Sequence, residues 1–285
     1  MRCTMCGKLN EKTAGLKRIV EKTAEECAKI RAAWLNGSLV NPEVTPDPWQ
    51  DVDAVFAVND MEPFLSDVSW LSRFGEAAII QTPDDGVLSP GRKDRYAFLM
   101  QFTDGTRLDL TFCLVKDAPR IYREDSLVEL LLDKEELLEP AEPDASSWYI
   151  QLPSNEEAAA CWNEFWWLAP YTARGLLRGE MLYALDHLET ARRMLRRMLV
   201  WRAVYERGKP FNPGKSDKWL LRCLSEEEEQ QLKHTYPQAE AEAVWDAWRE
   251  AAELMEKSAA ALPYAWNWQE AEQVKQLIAD WKAAE

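Results

Sequence analysis

The pattern of apolar and polar residues changes partway along the chain. In the first half, short runs alternate apolar and polar residues, as half-buried β-strands do. These runs predict strands at residues 30–35, 52–58 and 78–81, and a hairpin with arms at 96–103 and 106–114 around Asp104-Gly105. Asp-Gly between two alternating runs is a strong signal for a two-residue hairpin turn. Apolar residues at helical spacing predict helices over residues 10–29 and 61–74.

The second half has the pattern of a helical bundle. Ser154 and Ser225 are each followed three residues later by a glutamate, which is the capping-box pattern of a helix start. The long helical segment between them contains Pro170 and Gly175, which we expect to break or kink it. Eleven of the 14 tryptophans lie after residue 145, and the explanations for the tryptophan-rich stripe are first a buried core and second a stacking platform.

Together these patterns predict an α+β protein. Residues 1–145 form a mixed β-sheet domain with flanking helices, and residues 146–285 form a helical-bundle domain. The stretch 139–157 is rich in proline and small polar residues, so we interpret it as the connection between the domains.

Composition and charge narrow the classes of function. The chain has 285 residues, of which 47% are hydrophobic, and it shows no long apolar run or leader. This composition predicts a globular cytoplasmic protein without a membrane span. Its net charge of -15 disfavours nucleic acid as a partner and favours a small cationic molecule. Cys3 and Cys6 have metal-like spacing but no second pair, and there are only two histidines. Carboxylates therefore remain as the candidate metal and acid-base groups.

Polar residues at the ends of the predicted strands form a candidate metal and phosphate site. Asp51 and Asp53 are two residues apart at the start of a strand, so both side chains project from one face. Carboxylate oxygens are hard ligands that suit Mg²⁺. Gly37 and Ser38 follow the preceding strand and offer a phosphate close backbone approach, N–H groups and a hydroxyl. Asp109 lies mid-strand opposite an apolar face, and it is the natural third carboxylate.

Seven strings along the chain resemble, in order and spacing, the aminoglycoside 6-adenylyltransferases that inactivate streptomycin. They are LNGSLVNP, QDVDAVFAV, LDLTF, LLLDK, CWNEFWW, YTARGLLRGEMLYALDHL and GKSDKWL. Gly-Ser followed by Asp-x-Asp is shared by the whole nucleotidyltransferase superfamily, whereas the later strings are specific to this family. The resemblance implies transfer of AMP from ATP to a hydroxyl of streptomycin or a related cationic aminoglycoside, with Mg²⁺ bound and pyrophosphate released.

The resemblance also implies roles for individual residues. Asp51 and Asp53 match the Asp-x-Asp and would hold Mg²⁺, and Asp109 would accept the proton of the attacking hydroxyl. A third metal-ligand role is the rival for Asp109. Lys215 and Lys218, in GKSDKWL, would contact the triphosphate, unless they are solvated loop lysines.

Two carboxylates of the second half are candidates for binding the drug. Glu164 lies among aromatic residues on a predicted helix and would bind a guanidinium or ammonium group, as would Asp186. The alternative is that both carboxylates lie on the solvent-exposed face of a helix.

The chain departs from the family pattern directly after Gly-Ser, where Leu39 replaces a basic residue. This departure leaves open a nucleotide- or drug-binding module with little turnover. A nucleotidyltransferase with a protein or RNA acceptor is a separate alternative. We expect a monomer or a weak oligomer.

Overall fold

The computed structural model describes residues 4–87 and 90–284, with residues 4–10 as backbone only. It divides into two compact units, Met1–Ser147 and Trp148–Glu285. The side chains of Cys3 and Cys6, and with them the metal-like spacing, lie outside the described residues. No helix in the described ranges is both long enough and apolar enough to cross a membrane.

A mixed β-sheet forms the centre of the N-terminal unit. Over the described residues its strand order is β3-β4-β5-β2-β1-β6. Neighbouring strands are antiparallel except for the central pair β2 and β5, which are parallel. The strands are β1 Ile30–Asn36, β2 Val52–Val58, β3 Ala77–Gln81, β4 Arg95–Phe102, β5 Arg107–Leu114 and β6 Val128–Asp133.

Three helices of this unit flank the sheet: α1 Thr4–Glu26, α2 Glu62–Leu65 and α3 Ala118–Tyr122. Helix α1 packs along β1, β2 and β6. On one face of the sheet, aromatic residues of β2, β4 and β5 pack edge to face, as Phe56 and Phe112 do, and Phe64 of α2 packs against Phe112 in a tilted arrangement. On the other face, Trp34, Val55 and Cys113 pack against α3.

The positions of two elements differ from the prediction. The predicted helix 61–74 is only the single turn of α2 followed by a 3₁₀ turn, Ser69–Phe74. Asp67 interrupts it because its carboxylate accepts a hydrogen bond from the Ser69 backbone N–H at 2.9 Å, a local turn that competes with the helix. Strand β6 was not predicted, because the leucine run in it does not alternate with polar residues.

The C-terminal unit is helical, as the sequence predicts. Tryptophan and aliphatic side chains of several helices meet in one core, in which Trp162, Trp166 and Phe165 are almost fully buried. Both capping boxes are present, with Ser154 and Ser225 as the N-caps. The helices are α4 Asn155–Leu177, α5 Met181–Arg207, α6 Glu226–His234, α7 Ala241–Ala260 and α8 Trp268–Ala283.

Of the two alternatives expected at Pro170 and Gly175, a break is wrong, because α4 runs through both residues. A β-carbon on Gly175 would lie 2.9 Å from that of Ala184, so this glycine allows close packing of α5 on α4 instead of ending a helix. The chain turns later, where Gly179 adopts a left-handed conformation with φ +71°.

Candidate metal and phosphate site

Three aspartates converge at one end of the central parallel strand pair. Asp53 of β2 lies in register with Asp109 of β5, and Asp51 precedes Asp53 by two residues, so the three share a face. One oxygen from each carboxylate lies within 4.8 Å of the others, and all three residues are half-buried. At this separation two unit charges repel by about 3 kcal/mol at an effective dielectric constant of 20. The cluster therefore favours a bound cation, and a set of three carboxylates fits a hard divalent metal.

Arg107 lies directly beside these carboxylates. Its Nε and Nη2 donate to the two oxygens of Asp109 at 2.8 and 2.6 Å, and its Nε lies 3.6 Å from Asp51 Oδ2. The hydrogen bonds to Asp109, together with the charges of Asp51 and Asp53, raise the pKa of the Arg107 guanidinium. The sequence places Arg107 on the same face as Asp109 but gave no reason to include it in the site.

A glycine turn after β1 lies against Asp53. Gly37 begins a 3₁₀ turn, Gly37–Val40, with a left-handed φ of +80°. A β-carbon at this position would lie 2.2 Å from Asp53 Oδ2, which no real contact permits. Gln50 Nε2 donates to the Ser38 carbonyl at 2.7 Å and ties the turn to the segment that enters β2. Glycine is therefore required here both by the backbone and by the neighbouring carboxylate.

A polar cavity of about 390 Å³ opens beside Asp53 and Asp109. Its lining includes Thr111, Glu124 and Arg95, whose Nη2 donates to Glu124 at 2.8 Å. Arg95 Nε is buried and, among the described residues, has no hydrogen-bond partner. The lining therefore combines two carboxylates of the cluster with an arginine and a further acidic residue.

The two candidate lysines of the C-terminal unit lie on a tightly held loop. Ser216 and Asp217 both have left-handed backbones, with φ of 58° and 59°, which is costly for residues other than glycine. Arg196 Nε donates to Asp217 Oδ2 at 3.2 Å and holds the loop in this conformation. Lys215 is exposed, and Lys218 Nζ lies 4.9 Å from the centre of the Trp219 ring.

Glu164 and Asp186, the candidate drug-binding carboxylates, are both exposed. Glu164 lines a cavity of about 630 Å³ together with Arg197 and Trp201. Asp186 lies on the outer side of α5.

Near both carboxylates in sequence is a group of rings, which we call the aromatic surface: Trp167 and Tyr183, which are exposed, and Tyr171 and His187, which are half-buried. Successive ring centres are 5.9, 5.1 and 4.2 Å apart, and the Tyr171 and His187 rings are parallel within 6°. Trp167 is 60% exposed. Within the tryptophan-rich stripe, Trp166 is buried in the core, whereas Trp167 is exposed because it lies on another side of α4.

The structure brings together Asp51, Asp53 and Asp109 with Gly37 and Ser38 in one unit. Within the other unit, the candidate residues lie on α4, on α5 and on the lysine loop.

Known proteins resemble this chain over most of its length. Residues 11–282 match the family model described as streptomycin adenylyltransferase. An aminoglycoside 6-adenylyltransferase from Campylobacter jejuni is 35% identical over 234 residues, 81% of each chain. One from Staphylococcus aureus is 36% identical over 222 residues, 76% of this chain and 79% of the relative. The crystal structure of an aminoglycoside 6-adenyltransferase from Bacillus subtilis is 28% identical and covers 94% of this chain and 97% of its own, with a TM-score of 0.47.

Proposed function

The chain belongs to the streptomycin adenylyltransferase family, and from this membership we propose that it transfers AMP from ATP to a hydroxyl group of an aminoglycoside. Two relatives at 35% and 36% identity are named aminoglycoside 6-adenylyltransferases, which supports this reaction. The single observation that carries it within the structure is the cluster of Asp51, Asp53 and Asp109 beside the Gly37 turn. We further propose streptomycin as the first acceptor to test and the cytoplasm, where ATP is available, as the location.

Asp51 and Asp53 are the proposed ligands of a Mg²⁺ ion. Their oxygens lie close enough to share one ion, and Mg²⁺ usually takes only one or two protein carboxylates and completes its shell with phosphates and water. When bound, the ion would neutralise charge on the triphosphate as the α-phosphorus is attacked. The left-handed turn at Gly37 leaves room for the Asp53 carboxylate and supports a phosphate-binding role for Gly37 and Ser38.

Asp109 is the proposed general base. In the reaction, the drug oxygen forms a bond to the α-phosphorus, the bond to pyrophosphate breaks, and the hydroxyl proton moves to a carboxylate oxygen of Asp109. The register of β2 and β5 supports this role because it places Asp109 directly across from Asp53. The rival role is that of a third metal ligand. Asp109→Asn would distinguish the two roles. If Asp109 is the base, the variant keeps Mg²⁺-dependent ATP binding. If Asp109 is a metal ligand, the variant loses it.

Residues of the C-terminal unit are proposed to bind the charged groups of both substrates. Lys215 and Lys218 are proposed contacts of the triphosphate, supported by the held backbone of their loop and by the exposure of both side chains. Glu164 and Asp186 are proposed to bind the guanidinium or ammonium groups of the drug.

The aromatic surface supports the same assignment of the acceptor. Trp167 and Tyr171 follow Glu164 at helical spacings of three and seven residues, so the three share one side of α4. Tyr183 and Asp186 are related in the same way on α5. Exposed ring faces beside carboxylates attract cations that are flat and weakly hydrated, such as guanidinium groups.

The test is pyrophosphate release from ATP and Mg²⁺, with streptomycin, with other aminoglycosides and without an acceptor. We expect release only with an aminoglycoside, and we expect Asp51→Asn to abolish it. Asp60→Asn is the matched control, since it removes the same charge at the other end of β2, where the residue is exposed. Undiminished release by Asp51→Asn would refute the metal-site assignment. ATP binding without release for any aminoglycoside would favour a different acceptor or a binding module.

A further inference from the structure

Arg107 contacts two of the three carboxylates of the cluster, the proposed metal ligand Asp51 and the proposed base Asp109. It precedes Asp109 by two residues on β5, so both side chains project from the same face. Its Nε and Nη2 bond both oxygens of Asp109, at 2.8 and 2.6 Å. Its Nε also lies 3.6 Å from Asp51 Oδ2. The planar guanidinium group therefore lies at the side of the cluster formed by Asp51 and Asp109.

The guanidinium performs the electrostatic task that a divalent metal would perform. It places one positive charge beside carboxylates that repel one another, and its planar fork matches a carboxylate in a charge-assisted, bidentate arrangement. A metal held by Asp51 and Asp53 would meet this charge and would compete with it for the Asp51 carboxylate.

We propose that Arg107 is a resident counter-cation that holds Asp51 and Asp109 together without metal and is displaced from Asp51 when the metal binds. The inference rests on the proposed metal site. The Arg107 side chain is 40% exposed, so its far end has solvent into which it can move. Within the described residues, its ion-pair partners are both members of the cluster. Displacement therefore breaks no other ion pair.

A purely structural role is less consistent with this geometry. Exposed ion pairs contribute little to folding stability because solvent screens them. Arg107 instead lies where the local negative charge is concentrated, and its charge matters most when no metal is present.

The direct test is the affinity of the nucleotide-free protein for Mn²⁺ alone, measured by isothermal titration or by the electron paramagnetic resonance signal of free Mn²⁺. We expect Arg107→Gln to bind Mn²⁺ roughly tenfold more tightly than the wild type, since the metal no longer competes with a positive charge beside Asp51. Arg107→Lys keeps the charge but loses the fork, so its affinity should lie between the two. Arg31→Gln is the matched control, because Arg31 pairs with Glu135 near the start of β1, away from the Asn36 end that adjoins Asp53.

Thermal unfolding gives an independent readout. We expect Arg107→Gln to melt below the wild type without metal and to gain more from added Mn²⁺, because tighter binding to the folded state stabilises it more. Equal or weaker Mn²⁺ affinity in Arg107→Gln would overturn the inference while leaving the metal site intact. Absence of Mn²⁺ binding in both proteins would overturn the metal site and the inference with it.

Discussion

Replacing Gly37 by alanine would test how closely the turn after β1 is fitted to Asp53. The added β-carbon would lie 2.2 Å from Asp53 Oδ2 and 3.0 Å from its Cγ. To reach even 3.0 Å, the carboxylate oxygen would have to retreat by about 0.8 Å, the difference between 3.0 and 2.2 Å. Asp53 would then leave the position in which its oxygen lies within 4.8 Å of those of Asp51 and Asp109.

Two magnitudes follow from this geometry. The left-handed backbone at φ +80° would cost an alanine roughly 1–2 kcal/mol of folding stability. A displacement of about 1 Å among groups that position a reaction can cost roughly 100-fold in rate. We therefore expect Gly37→Ala to remain folded but to lose roughly 100-fold in kcat/KM for AMP transfer, with weaker Mn²⁺ binding.

The matched control is Gly179→Ala. Gly179 has a similar φ of +71°, and a β-carbon there would have nothing within 4 Å. We expect a similar loss of stability in urea unfolding and no loss of AMP transfer. If Gly37→Ala retained activity within about threefold of the wild type, or if Gly179→Ala were equally inactive, the argument from the Asp53 contact would be refuted.

Three further predictions concern the C-terminal unit. Trp167→Ala should raise the KM for streptomycin roughly two- to fivefold with little change in kcat, since an exposed ring contributes modestly to cation binding; an unchanged KM would remove the aromatic surface from the acceptor site. Asp217→Asn keeps a residue type that tolerates the left-handed backbone but loses the ion pair with Arg196. It should weaken ATP binding several-fold if the loop presents Lys215, and unaltered ATP affinity would contradict that role. Burial raises the pKa of Glu228, but hydrogen bonding and charge from Arg202 outweigh it and lower the pKa from 4.5 to about 2. Glu228 should therefore contribute up to about 3 kcal/mol of stability that is complete above pH 4.5 and lost as the pH falls towards 2. In denaturant unfolding between pH 5 and 2, Glu228→Gln should not show this loss of the free energy of unfolding. An identical pH dependence in both proteins would contradict a lowered pKa of Glu228 as its cause.

The carboxylate cluster shows what sequence can predict. Alternation along one strand places Asp51 and Asp53 on one face, and the same rule places Asp109 opposite an apolar face. Alternation does not predict the parallel pairing of β2 with β5, which places Asp53 across from Asp109. That pairing depends on contacts between residues more than 50 positions apart in the chain, and no local sequence pattern predicts it.

Other features depend on tertiary context. Arg107 belongs to the site because its guanidinium group donates hydrogen bonds to both oxygens of Asp109. The spacing of the two residues does not predict this contact. Pro170 lies within a continuous helix because the packing of α4 in the bundle outweighs its helix-breaking tendency. The roles of Lys215, Lys218, Glu164 and Asp186 stay predictions, since each depends on a bound substrate.

The most direct measurement is the mass of streptomycin after incubation with the purified protein, ATP and Mg²⁺. We expect the drug to gain one AMP, with one pyrophosphate released for each modified molecule, and we expect neither product from Asp51→Asn. Streptomycin and the other aminoglycosides recovered unmodified, from protein that is folded and binds ATP, would contradict the proposed reaction.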